Sequence, residues 1–361
     1  MMNILGIGTI FSQGYGINAL ESALENGPLQ PAEVDALYGA GGKRKAFTVN
    51  FDSVADKSML KNLRRADKLS KMSVVAAAAA VSDSGIPDLS DKKVGIILST
   101  AFGAHVTTFE FLDGIIDYGE ANVSPTSFSN SVHNAAASYI SASLDIKGPT
   151  LTITRFRFSF QSALELGKSW LEQGRCDYLL LGAADQYGDV LGYVSEKKLN
   201  PALEGEIKPF SFGQGGHIPG ECSVFFLLGR ELSDSSYCSI DGVYTFDDPH
   251  AVENVDLNVL SADGMLTDES LYIQQLSPEI PVAAYSPLFG SIMTGGAMNI
   301  AAAAIIIKRQ RVYASPGKSS LQDLKIVAVS EPSDISSVRC IDVNCRGECA
   351  KVYLGRLEYD F

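Results

Sequence analysis

The chain has 361 residues, 46% of them hydrophobic and 20% charged, with 29 Lys and Arg against 42 Asp and Glu for a net charge of −13. This length carries a prior of about two domains, or two fused halves of one fold, and the composition is that of a globular protein, not a disordered or fibrous one. The acidity argues against nucleic acid or an anionic membrane as partner, and the longest apolar runs, 74–81 and 300–307, fall far short of the roughly 20 residues that span a bilayer.

The pattern begins with an apolar strand over 4–10. No basic region precedes it and no small-residue cleavage site follows, so it reads as a first strand and not as a signal peptide, which places the protein in the cytoplasm. A helix over 72–83, a strand over 94–99, a helix over 135–144, a strand over 151–154, a helix over 162–173 and a strand over 178–181 follow. Such alternation predicts a mainly parallel sheet with helices on both faces. The first of these helices is apolar on all sides, which predicts burial between two sheets.

A second pass starts after about residue 235. It contains strands over 239–244 and 282–285, helices over 268–275 and 298–308, and strands over 325–329, 340–344 and 350–355. We divide the chain into two related α/β halves, 1–234 and 235–361. Six cysteines, Cys176, Cys222, Cys238, Cys340, Cys345 and Cys349, lack paired metal-ligand spacing and read as reduced core thiols. His105, His133, His217 and His250 show no ligand spacing either. The basic clusters Lys43-Arg44-Lys45 and 61–71 read as a solvated loop and a solvated helix face.

The segment Gly148-Pro149-Thr150-Leu151-Thr152-Ile153-Thr154-Arg155-Phe156-Arg157-Phe158-Ser159 reads as a strand entering a tight elbow before a helix. An elbow of this kind projects one side chain at the positive end of the helix, where a thiolate or alkoxide would be stabilised. Arg157 is neither. Ser159 lies two residues past the tip, where serine more often caps a helix than acts as a nucleophile with His133 or His217 as its base.

This segment resembles the active-site segment of the β-ketoacyl synthases, Gly-Pro-x-x-Thr-Ile-x-Thr-Ala-Cys-x-Ser-Ser, with Arg157 in the place of the acyl-accepting cysteine. The likeness extends through Gly6-Ile7-Gly8, through 102–149, and through the block from Lys208-Pro209-Phe210 to Gly220-Glu221. It implies a duplicated thiolase-type fold, two related α/β halves in five α-β-α-β-α layers. The family's two catalytic histidines, which promote decarboxylation and stabilise the developing negative charge, fall at Asp263 and Ser291. All three positions have changed while Gly148-Pro149, Gly220-Glu221 and Gly295-Gly296-Ala297 are kept.

That combination resembles the chain length factors of type II polyketide synthases, non-catalytic homologues that pair with an active ketosynthase. The resemblance implies a ketosynthase partner, an acyl carrier protein reached through the complex, and a phosphopantetheine arm acting at the partner subunit, with no cofactor or metal held by this chain. Acyl carrier proteins are acidic, so a chain of this charge is a poor docking surface by itself. The resemblance further implies that the helix bearing His105, Thr108 and Leu112, at i, i+3 and i+7 with Phe109 and Phe111 beside them, closes the partner's tunnel; ordinary interface packing is the alternative. We also expect an ion pair between Arg157 and Asp263 in place of the Cys-His pair. Two departures stand out: arginine at the elbow where many chain length factors carry glutamine, and no Gly-Phe-Gly-Gly loop near Val343-Asn344-Cys345. The competing readings are an atypical active condensing enzyme or malonyl decarboxylase, and a homodimeric ligand-binding protein on the same scaffold.

Overall fold

The computed structural model describes residues 2–36, 42–54, 57–86, 89, 91–199, 201–202, 205–212, 216–233, 235–246, 254–316 and 324–357. Its main strands are β1 (Met2–Phe11), β2 (Val94–Thr100), β3 (Thr150–Thr154), β4 (Tyr178–Asp185), β5 (Cys222–Gly229), β6 (Cys238–Phe246), β7 (Leu257–Leu260), β8 (Val282–Ala284), β9 (Ser337–Val343) and β10 (Cys349–Gly355). The helices that frame the site are α1 (Lys68–Asp83), α2 (His105–Tyr118), α3 (Pro125–Asn130), α4 (Ala135–Ser143), α5 (Ser159–Glu172), α6 (Asp189–Lys198), α7 (Ser270–Ile273) and α8 (Gly296–Arg309).

The strands run β3-β2-β4-β5-β1 and then β6-β10-β9-β7-β8 in one mixed sheet. In the first run β2 lies parallel to β3 and β4, and β5 is antiparallel to both β4 and β1. The second run repeats this pairing, with β7 parallel to β8 and β9, and β10 antiparallel to β9 and β6. The runs meet where β1 pairs antiparallel with β6, Met2 opposite Ile240 and Ile4 opposite Cys238. The parallel strand β2 is buried along its whole length, while β3 at the sheet's edge, Thr-Leu-Thr-Ile-Thr, is partly exposed.

The middle layer consists of α5 and α8. α5 packs on β2 and β4 of one run and on β6 and β10 of the other, and α8 packs on β7, β9 and β10 and reaches β5. α1 is therefore not between two sheets, as its all-round apolarity predicts. It lies on β1, β5 and β4 with α4 against its other side, and a sheet on one face with a helix on the other buries it as fully. Close approach explains its alanines: a Cβ at Gly6 would meet the Ala80 carbonyl oxygen at 2.3 Å, and one at Gly8 the Ala76 oxygen at 2.1 Å.

The outer layer over the second run is thin. The helix expected over 268–275 is the single turn α7 with Glu269 at its N-cap, and Asp268 Oδ1 just before it accepts from the Ser270 amide at 3.0 Å. The strand expected over 325–329 is one bridge between Val282 and Ile326. β8 is only three residues long at the sheet's edge, which leaves room for a single pair of bonds. β5 and β7 lie outside the predicted elements. Five of the six cysteines are buried, but Cys345 is exposed, so it is not a core thiol. Among the described residues no helix is long and apolar enough to cross a membrane.

Candidate functional site

β3 delivers the chain to the elbow. Phe158 takes φ +61°, ψ +21°, a left-handed conformation costly for an aromatic residue, and α5 begins at Ser159. Packing holds it there: Phe158 is buried, its ring meets Phe246 edge-on at 6.1 Å, and the Arg155 guanidinium lies 4.9 Å from the Phe246 ring centroid. Ser159 does not cap the helix. It is the first helical residue, no side-chain cap is made, and its buried hydroxyl has no hydrogen-bond partner.

The Arg157 side chain is 16% exposed. Its Nη1 lies 3.4 Å from Asp263 Oδ2 and 3.6 Å from Asp342 Oδ1, and its Nη2 lies 2.9 Å from the Met265 sulfur. A cation at a helix N-terminus opposes the helix dipole, and these carboxylates offset that. Burial acts against the guanidinium's charge, but Asp263 and Asp342 outweigh it and hold its pKa above the usual arginine range. The two carboxylates share one cation, so burial, with Asp263 nearby, pushes Asp342 up to about 6 against the pull of Arg157.

Asp342 belongs to none of the sequence motifs above. The signal for it is an acidic residue between the apolar Ile341 and Val343 of β9. Asp263 sits in the turn after β7, where its Oδ1 accepts from the Met265 amide at 3.1 Å.

Ser291 joins three segments. Its hydroxyl donates to the Asp263 carbonyl and accepts from the Ile218 amide at 3.1 Å, while its own amide donates to the Ile218 carbonyl at 2.8 Å. Replacing Ser291 with alanine strands the Ile218 amide in a buried site. It is expected to cost about 1–3 kcal/mol in a denaturant melt, and a loss well below 1 kcal/mol would show that these bonds do not matter. Arg157, Asp263 and Ser291 thus form one cluster, with no thiol among its side chains.

His217 borders this cluster, and its partner is Ser195 on α6, not Ser159: Ser195 Oγ lies 2.9 Å from His217 Nδ1. Burial, with Arg157 nearby, pushes His217 down to about 4 against the pull of Asp263. His133 lies against Gly103, where a Cβ would meet its Nδ1 at 1.8 Å. His250 lies outside the described residues. Neither basic cluster is simply solvated. Arg44 pairs with Asp189 at 2.7 Å and Glu196 at 3.0 Å, and Lys68 pairs with Glu221, whose buried carboxylate also accepts from the Val49 and Tyr187 amides.

The residues expected on one face of α2 divide. His105 is half-buried against the Phe102 ring at 5.8 Å, and burial lowers its pKa. Thr108 donates to the Ala104 and Ser131 carbonyls, and Phe111 stacks on Phe128 at 5.5 Å. Phe109 and Leu112 are exposed, and with Ile116 they make an apolar stripe continued by Phe128 and Val132. Phe102 also meets Phe156 at 5.5 Å, so an aromatic contact links the start of α2 to the elbow.

The family model for the β-ketoacyl synthase N-terminal domain matches residues 2–233. A polyketide β-ketoacyl synthase of Streptomyces cyaneus is 24% identical over 266 residues, 67% of this chain and 62% of that protein. A 3-oxoacyl-[acyl-carrier-protein] synthase 2 of Staphylococcus aureus is 27% identical over 190 residues, 50% of this chain and 44% of that protein. The matches therefore span less than two thirds of these relatives. Among solved structures, the ishigamide ketosynthase/chain length factor superposes with TM-score 0.81 at 15% identity, and a β-ketoacyl synthase from Burkholderia phymatum with 0.82 at 16%, each covering 99% of both chains. A type II acyl carrier protein in complex with its ketosynthase gives 0.79 at 14%. The fold is the thiolase-type fold of the ketosynthases, and the chain belongs to the β-ketoacyl synthase family.

Proposed function

We propose that this chain is a non-condensing subunit, a chain length factor that pairs with an active ketosynthase and sets the length of a polyketide assembled from malonyl units. The observation that carries this reading is Arg157 at the nucleophile's seat, held between Asp263 and Asp342. A guanidinium cannot accept an acyl group, and displacing it would leave two buried carboxylates unpaired. In this reading the partner supplies cysteine and histidines, the acyl carrier protein docks on the complex, and its phosphopantetheine arm acts at the partner subunit in the cytoplasm.

The surface beside the elbow supports a large partner. β3 is the outer strand of its run, and Leu151, Phe156, Phe109, Leu112, Ile116 and Phe128 are exposed around it. An open strand edge with an apolar surround invites pairing unless something covers it. Co-expression with an active type II ketosynthase is expected to yield a one-to-one heterodimer by size exclusion with light scattering. A homodimer of this chain that ignores the ketosynthase would refute the reading.

Chain-length control is expected to rest on α2. Leu112→Trp, at an exposed position that adds bulk without breaking a hydrogen bond, is expected to shorten the product by at least one two-carbon unit with the complex intact. Unchanged product length at retained activity removes the gating role, and Thr108→Trp serves as a second variant. Thr108 is the less clean site because its hydroxyl ties α2 to the turn at Ser131.

A further inference from the structure

We propose that Ser195 and His217 form a second acyl site on this chain, a nucleophile and base pair that hydrolyses small acyl thioesters or esters. This inference does not rest on the pairing with a ketosynthase. The hydroxyl of Ser195 stands 2.9 Å from Nδ1 of His217, within the reach a general base needs. Both side chains are buried, 3% and 4% exposed, yet both line a surface cavity of about 240 Å³ between α6 and the short strand Lys43–Ala46.

The cavity's lining suits a small acyl group. Pro201, Ala202, Ile218 and Pro219 give apolar contact, and Lys43 and Lys45 stand at the rim. Lys43 is paired with Asp35, and Arg44 with Asp189 and with Glu196, which also lines the cavity, so most of the local charge is balanced. A second, smaller void of about 20 Å³ lies behind the pair and also touches Met265 and Ser291. The pair therefore stands beside the Arg157 cluster without sharing a side chain with it.

The chemistry balances with water as the only co-reactant. The Ser195 oxygen attacks the acyl carbonyl, His217 takes the hydroxyl proton, and the carbon–sulfur or carbon–oxygen bond breaks as that proton passes to the leaving thiolate or alkoxide. Water then attacks the acyl-serine, His217 again carrying the proton, to release the free acid and restore the serine. His217 titrates well below neutrality because burial outweighs the nearby Asp263 carboxylate, and Arg157 adds to the downward shift; Ser195 faces it from α6. At neutral pH the imidazole is thus unprotonated, as a base must be.

The experiment treats the full chain with a fluorophosphonate probe, maps the adduct by peptide mass spectrometry, and measures p-nitrophenyl butyrate hydrolysis. A single adduct at Ser195 is expected in the wild type. Ser195→Ala is expected to abolish it, and His217→Gln, which keeps a polar group of similar size, to slow hydrolysis by about 100-fold or more. The hydrolysis rate should rise as pH climbs through about 4 and then level. No adduct on folded wild-type protein, or an adduct elsewhere, overturns the proposal, because a buried pair with a purely structural role would not react. Mapping on the wild type decides the matter even if the variants fail to fold.

Discussion

Arg157→Ala is expected to lower the unfolding free energy by about 3–5 kcal/mol, the cost of removing one partner of a buried ion pair. The guanidinium lies 3.4 Å from Asp263 and 3.6 Å from Asp342, whose side chains are 7% and 5% exposed, so little solvent screening reduces the effect. The loss should be larger at pH 8 than at pH 5, because protonation of Asp342, raised to about 6, relieves its stranded charge. Arg157→Ala combined with Asp342→Asn should lose less than Arg157→Ala alone. A loss below about 1 kcal/mol for Arg157→Ala would show that the cluster is solvated and the elbow open.

Asp342 supplies a pH signature of the same cluster. Its pKa is raised to about 6 in the folded state from an ordinary value of 3.8. The contribution of such a group is fully present below about pH 3.8 and is lost as pH rises through 6, because the folded state binds the proton more tightly. Burial raises Asp83 and Asp185 as well, so the comparison is the difference between wild type and Asp342→Asn. The wild type should gain stability relative to the variant as pH falls from 7 to 4.

Phe109→Asp with Leu112→Asp is expected to weaken association with the ketosynthase at least 100-fold while leaving the isolated chain's melting temperature nearly unchanged. Both side chains are substantially exposed, 40% and 44%, so the free protein tolerates a charge there. In an interface the same carboxylates would be desolvated opposite apolar groups, and two such penalties readily exceed about 2.7 kcal/mol, or 100-fold. Titration by light scattering or calorimetry measures the effect. Undiminished binding would place the interface elsewhere.

The alternation of apolar strands with helices makes the layered α/β class legible, but not the strand directions: the sheet expected to be mainly parallel is mixed, with β5, β1, β6 and β10 joined antiparallel at its centre. The position of α1 was not legible either. All-round apolarity records that a helix is buried and not whether a sheet or another helix covers its second face. The strand expected over 325–329 has the right residues, but a strand needs a partner of matching length, and the three residues of β8 do not provide one.

At the site, the motif alignment brought out Arg157, Asp263 and Ser291, and the fold gathers them. It could not bring out Asp342, because that residue arrives from a distant strand and occupies no position in the motifs compared. Ser159 departs from the expected cap for a local reason: the left-handed turn at Phe158 moves the helix start one residue earlier than a serine cap requires. The Ser195–His217 contact joins a helix to a loop 22 residues away, and no spacing rule links them.

The most direct measurement is condensation by the reconstituted complex after the ketosynthase partner's active-site cysteine has been replaced by alanine. With malonyl units on the acyl carrier protein and this chain unaltered, we predict no carbon–carbon bond formation, while the unmodified complex makes the full-length product. Product formed by the cysteine-less complex would mean that this chain condenses by itself, and would contradict the account.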